Sequence, residues 1–315
     1  MLNFNEFKKL YEGGSAISDS RPMSQEETKL TYEWIVKKIY PIFGIIDKID
    51  AKPIGSYGKK ATGQTSGDID IAVATDVIAG NNHISVNSVL DFVEDKLKSL
   101  GYDTSKAKGF NQVSFAVPIN GNYANGIGQV DFMFTDSLNW SEFIYHSPDF
   151  SKFESKYKGL YRNILLMKII SNAKRKTTKI TDSGETEEYE SYVVRLNQGV
   201  VQVTKSFKGK TGLVKNANLL KDQDKFITNT PEEVSNILFG PSVQPSDIMT
   251  FEDLWRQFTN PKFIHKDKFN QILKEFIQQI KITKVPIPTE IEFEYPNFIN
   301  ENLAIKSFND YLNIR

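Results

Sequence analysis

The run GSYGKKATGQTSGDIDIAV, residues 55–73, sets a Gly-Ser turn ahead of two carboxylates spaced by one residue. Period-two alternation decides where those carboxylates point. In a strand beginning near Asp68, the side chains of Ile69, Ile71 and Val73 take one face, so Asp68 and Asp70 project together from the other. Two adjacent carboxylates repel unless a cation lies between them. Hard divalent ions such as Mg2+ take oxygen ligands, keep several waters and share their remaining coordination with substrate phosphates. At the other end of the run, Gly55-Ser56 offers main-chain N–H groups and a hydroxyl that can hold a phosphate, and the glycine lets it come close. A Gly-Ser by itself is ordinarily just a turn, and Asp-x-Asp is common on half-buried strands. Joined in a segment as apolar as DIDIAV, they point to phosphoryl transfer.

A third carboxylate follows in GQVDFMF, residues 128–134. Asp131 alternates with Val130, Phe132 and Phe134, so it can face away from the core as the first two do. Residues 110–119 also alternate, through Val113, Phe115 and Val117, and Asn120-Gly121 and Asn125-Gly126 are turn signals. A strand over 127–135 therefore pairs antiparallel with the preceding one and brings Asp131 to the sheet edge of Asp68 and Asp70.

The order Gly55-Ser56, Asp68-Ile69-Asp70, Asp131 resembles the signature of the DNA polymerase β-like nucleotidyltransferase superfamily over roughly the first half of the chain. The resemblance implies an α+β fold: a mixed-sheet, palm-like catalytic domain over residues 1–150, with helices on one face, and a mainly helical domain over 151–315. It implies transfer of a nucleoside monophosphate from an NTP to a hydroxyl, with release of pyrophosphate. Asp68 and Asp70 would hold two ions, Mg2+ or Mn2+, and Asp131 would complete the second. Gly55, Ser56 and Lys59 would position the triphosphate. Members of the superfamily often place a basic residue on the first helix of the second domain, facing the triphosphate, and Arg162 and Lys168 resemble that placement. For Lys168 a lysine snorkelling to the surface is the competing reading. The acceptor suggested first is an RNA 3′ end or another nucleotide. Transfer to a protein or small molecule, and a catalytically idle module of the same fold, stay open.

Composition narrows the remaining classes. The 315 residues, 39% hydrophobic and 12% aromatic, suffice for substantial cores. Thirty-nine basic residues balance thirty-nine acidic ones, so a nucleic-acid partner would need a local basic patch. The absence of cysteine removes disulfides, thiol nucleophiles and cysteine-ligated zinc, and His83, His146 and His265 are too scattered to suggest a histidine metal site. Neither a signal peptide nor a membrane-length apolar run is apparent, which leads us to expect a cytoplasmic protein without membrane contact. No Walker-type or kinase loop competes for the phosphate.

Elsewhere the spacing predicts helices over 3–12, from a capping box at Ser24 to Pro41, and over 85–97 and 140–145. In the helix after Ser24 the expected apolar face is Leu30, Trp34, Ile35 and Ile39, and a short helix is expected after Gly55-Ser56. The segment LYRNILLMKII, 160–170, is apolar nearly all round and so buried. A β-hairpin insertion is expected with 177–181 against 189–195, then a strand over 200–207. Lys174-Arg175-Lys176 and the lysines between Lys205 and Lys225 make the stretch 174–225 the expected acceptor side. Helices over 231–238, 251–258, 268–280 and 297–312 complete the reading.

Overall fold

The computed structural model describes residues 16–80, 85–181, 185–208 and 218–300; the helix expected over 3–12 and most of that over 297–312 lie outside them. The Ser24 capping box is formed in both directions and starts helix α1, Gln25–Lys38. Its buried face agrees with the expected one at Ile35 and Ile39, with Trp34 partly buried against the core, and departs from it at Leu30. Thr28, Thr31, Tyr32 and Ile35 are buried, whereas Leu30 is 41% exposed. The threonine methyls pack inward while their hydroxyls are satisfied locally: Thr28 donates to the Gln25 carbonyl, and Thr31 accepts from the Asn120 N–H. A pattern read from strongly apolar residues alone misses the threonines on that face.

The central sheet has five strands: β1 (Ala51–Pro53), β2 (Asp68–Ala74), β3 (Thr104–Ala107), β4 (Gln112–Pro118) and β5 (Ile127–Thr135). Their spatial order is β1-β2-β5-β4-β3. Only β2 and β5 run parallel, so the sheet is mixed and the fold is α+β. One face carries Ile69, Ile71, Val73, Val113, Phe115, Val117, Val130, Phe132 and Phe134, packed under α1 and helix α2 (Val86–Ser99). Phe132 lies at the middle of this core, with its ring 4.9 Å from that of Phe115 and 6.2 Å from Tyr40. The opposite face is apolar only toward the strand ends, where Ile54, Ala72 and Met133 meet Leu138 and Tyr145.

After Gly55-Ser56 the chain makes a turn and not the expected short helix, closed by the Lys59 N–H on the Ser56 carbonyl at 3.1 Å. Gly55 and Gly58 both have positive φ (64° and 68°), a backbone that a right-handed helix does not accommodate.

A second core gathers helices α3 (Leu138–Ile144), α4 (Gly159–Ala173), α5 (Pro231–Phe239), α6 (Phe251–Thr259) and α7 (Phe269–Thr283). As its composition predicts, α4 is buried nearly all round, from Tyr161 to Asn172. The expected hairpin is part of a larger element, a four-stranded antiparallel sheet of β6 (Lys176–Thr181), β7 (Glu185–Arg195), β8 (Gly199–Lys208) and β9 (Asn218–Thr228). More of the basic stretch 174–225 is thus strand than expected, and acids interrupt its charge: Lys205 pairs with Asp222 at 3.3 Å and Arg195 with Asp224 at 2.6 Å. Asn197, in the β7–β8 turn, accepts from the Asp136 N–H (2.9 Å) and the Thr135 hydroxyl (3.1 Å), and Trp140 Nε1 donates to the Leu196 carbonyl (3.0 Å). These bonds fasten the second sheet to the exit of β5. No helix among the described residues is long and apolar enough to cross a membrane.

The face assigned to α1 is open to a direct check. Ile35→Ala should cost about 2–5 kcal/mol as a large-to-small core change, whereas Leu30→Ala should stay within about 0.5 kcal/mol. Equal losses in chemical denaturation would contradict the assignment.

Candidate active site

Strand register builds the site. Parallel pairing of β2 with β5 sets Asp70 beside Asp131, and Asp68 lies one strand period before Asp70 on the same face. Oxygen atoms from all three carboxylates lie within 4.8 Å of one another. Asp131 is 5% exposed.

Burial and mutual repulsion disfavour the charged forms. Burial pushes the Asp70 carboxyl well above its usual range; the charges of Asp68 and Asp131 add to this, and Lys60 opposes it. Asp131 is pushed up to about 8, mostly by burial and then by the Asp68 charge, while hydrogen bonds from Ser114 and Gln129 pull the other way. A cluster of hard oxygen donors that resist ionising together matches what a divalent cation neutralises, so the residues present fit Mg2+ or Mn2+ as ligands.

The Gly-Ser turn touches this cluster. The ladder beyond β1 continues with the Ile54 N–H on the Asp70 carbonyl at 3.0 Å, which brings Gly55 against the Asp70 side chain. A Cβ on Gly55 would stand 2.7 Å from Asp70 Oδ2, and its φ of +64° strains any other residue. Ser56 is half-buried, and its hydroxyl has no hydrogen-bond partner among the described residues. The turn is pinned from the other half of the chain: Gly55 bridges His146, and the Phe150 N–H donates to the Lys59 carbonyl at 2.8 Å. Gly159, opening α4, sits where a Cβ would be 2.5 Å from the His146 carbonyl oxygen, so α4 starts hard against the same segment. His146 was not singled out by the sequence. Burial, then the charges of Lys59 and Arg162, lower its imidazole to about 3, which leaves it neutral at physiological pH.

The expected basic residues are placed differently from one another. Lys60, next to the expected Lys59, is the cation acting on Asp68 and Asp70, and Gln25 Nε2 holds its carbonyl. The charge of Lys59 faces Glu154, Glu142 and Asp149. Arg162 requires a correction. It is fully buried, with Nε on the Ile248 carbonyl (2.7 Å), Nη1 on the Phe143 carbonyl (2.9 Å) and its guanidinium 4.5 Å from the Phe143 ring centre. It ties α3 and α4 to the turn before α6 and offers no surface to a nucleotide. Lys168 is part-buried with its ammonium pKa lowered chiefly by burial, and it lies beside Glu275 and Arg175. Nine residues into α4, it stands about 13 Å along the axis from the end that abuts the turn. In the basic cluster, Arg175 pairs with Glu275 at 2.6 Å and Lys174 lies over the Tyr192 ring.

Sequence reading also passed over Gln129 and Ser114. Both are buried, and both hydrogen-bond Asp131. Their only signal is position: Ser114 is the cross-strand partner of Asp131, and Gln129 precedes it by one strand period.

No family model matches the sequence, and no curated protein matches it. Among solved structures, the chain is similar to polymerase beta of Leishmania infantum in a ternary gap complex, with 16% identity over 48% of this chain and 47% of that one, and a TM-score of 0.30. It is also similar to the Cid1 poly(U) polymerase with MgGTP bound (10% identity, 52% and 60% covered, TM-score 0.28). A cytoplasmic RNA terminal U-transferase matches at 11% identity over 52% of this chain and 57% of that one, with a TM-score of 0.25. The matched region is about half of this chain and less than two thirds of each neighbour.

The raised carboxyls give a signed expectation. A carboxyl whose folded pKa lies above its unfolded value adds stability below about pH 4 and loses it as pH rises through the folded value. In EDTA, these two carboxyls should therefore lower the Tm between pH 4 and about pH 8, and over that range Asp131→Asn should lose less Tm, or gain more, than the parent. Thermal melts in which Asp131→Asn declines as steeply as the parent would contradict this.

Proposed function

We propose that the chain is a metal-dependent nucleotidyltransferase that moves a nucleoside monophosphate from an NTP to a hydroxyl and releases pyrophosphate. One observation carries the reading: Asp68, Asp70 and Asp131 meet on one sheet face with the Gly55-Ser56 turn against Asp70. Asp68, Asp70 and Asp131 would hold the divalent ions, which when bound supply charge neutralisation at the attacked phosphorus and acidify the attacking hydroxyl. The protein's own contribution is positioning, which is most of what this chemistry demands. Ser56 and the main-chain N–H groups of its turn would hold the outer phosphates. Lys60, next to the acids, would offset their charge, with Lys59 adding positive potential on the same turn. Asp131, buried beside β4 and held by two donors, would face the acceptor hydroxyl.

The acceptor we favour is an RNA 3′ end or another nucleotide. In this reading residues 1–150 carry the chemistry, and residues 151–315, through α4 and the second sheet, shape the nucleotide and acceptor side. Lys168 is the part-buried cation on α4, and among the described residues its ammonium forms no ion pair. Its distance from the turn makes it a weaker candidate for the triphosphate than Lys60.

Incubation with each labelled NTP and Mg2+ or Mn2+, with and without total RNA, tests the assignment. Asp68→Ala combined with Asp70→Ala should abolish transfer, and undiminished turnover by that variant would sink it. Pyrophosphate release only with RNA would indicate tailing; release without RNA would indicate nucleotide or self-modification. Lys60→Ala should raise KM for the NTP roughly tenfold, as loss of a charge-assisted contact of about 1.5 kcal/mol would. Lys168→Ala should change it much less, and the reverse ranking would move the triphosphate to α4.

A further inference from the structure

Gln129 is 2% exposed and both ends of its carboxamide are engaged. Its Oε1 accepts from the main-chain N–H groups of Ala16 (3.0 Å) and Ile17 (3.1 Å). Its Nε2 donates to Asp131 Oδ1 (3.0 Å) and Oδ2 (3.2 Å). Reversing the amide would set its NH2 against two N–H donors and its carbonyl oxygen against a carboxylate, so only one orientation is compatible with its neighbours. Both donors come from the arm at 16–20, which is fixed along β5 by the Ser20–Ile127 bridge, the Arg21 N–H on the Ile127 carbonyl (2.9 Å) and burial of Ile17. A second donor reaches Asp131 from β4. Gln112 Nε2 donates to Ser114 Oγ at 2.9 Å, which leaves the Ser114 hydroxyl hydrogen for the carboxylate opposite.

We propose that Gln129 is a positioning residue: its carboxamide, oriented by the arm, holds the Asp131 carboxylate in the orientation that completes a divalent-cation site with Asp68 and Asp70. The proposal rests on the reading of the three aspartates as cation ligands. Hydrogen bonds to an ionised acceptor are the strong ones, and partners that orient a ligating side chain typically change metal affinity by one to two orders of magnitude. The arm thereby becomes part of the site without touching it. By linkage, a cation that draws on an oriented Asp131 must in turn tighten the arm.

Mn2+ titration followed by electron paramagnetic resonance, on the full chain, tests this without reference to turnover. Gln129→Met should weaken Mn2+ binding roughly 10–100-fold, and in the Asp131→Asn background the same change should add little, because Gln129 acts through Asp131. If Asp131→Asn weakens Mn2+ binding while Gln129→Met leaves it at the parent value, the positioning role is overturned and the cation site stands. If Asp131→Asn binds Mn2+ as the parent does, both fall. Hydrogen exchange on the unmodified protein decides the matter should Gln129→Met fail to fold. The Ala16 and Ile17 amides should exchange more slowly in Mg2+ than in EDTA, and unchanged rates would overturn the coupling.

Discussion

The structure is organised around an unfavourable arrangement: three carboxylates held within reach of one another on one face of a sheet whose other face is the hydrophobic core. Register alone enforces it. Parallel pairing of β2 with β5 makes Asp70 and Asp131 neighbours, and the period of two adds Asp68 on the same face. The opposite face of the same strands buries Ile69, Ile71, Val130 and Phe132, so a slip of one residue would carry the acids into the core. The hydrophobic core therefore supplies the stability that overrides the repulsion.

The second half of the molecule holds the Gly55-Ser56 turn that lies beside the acids. Gly55 bridges His146, the Lys59 carbonyl is bonded from Phe150, and α4 begins against the His146 carbonyl at Gly159. The turn beside the acids is thus gripped between its own strand and the segment leading into the helical core. The exit of β5 is fixed separately, by Asn197 and Trp140 to the β7–β8 turn. The turn beside Asp70 and the exit of β5 are in this way both connected to the helical core.

Much of this was legible in the sequence where the signal was local. The capping box at Ser24, the alternation around Asp68 and Asp70, and the strand bearing Asp131 are short-range patterns and appear as read. What escaped depended on partners distant in sequence. An arginine in an apolar helix reads as a cation awaiting an anion, but Arg162 is tied to the carbonyls of Phe143 and Ile248. Lys59 and Lys60 are indistinguishable as adjacent lysines, and only the path of the turn decides which one faces the acids. Gln129 carried no motif, since its part depends on main-chain groups more than a hundred residues earlier. The four-stranded sheet was partly hidden because its charged strands alternate weakly and pair by long-range register.

Asp68, Asp70 and Asp131 are proposed to form one divalent-cation centre beside the Gly55-Ser56 turn. Crystals grown with Mn2+ and a non-hydrolysable NTP, measured by anomalous diffraction at the manganese edge, test it most directly. An anomalous peak is expected among the three carboxylates, with the outer phosphates on the Gly55-Ser56 turn. Manganese bound elsewhere, with the three carboxylates contacting no ion, would contradict it.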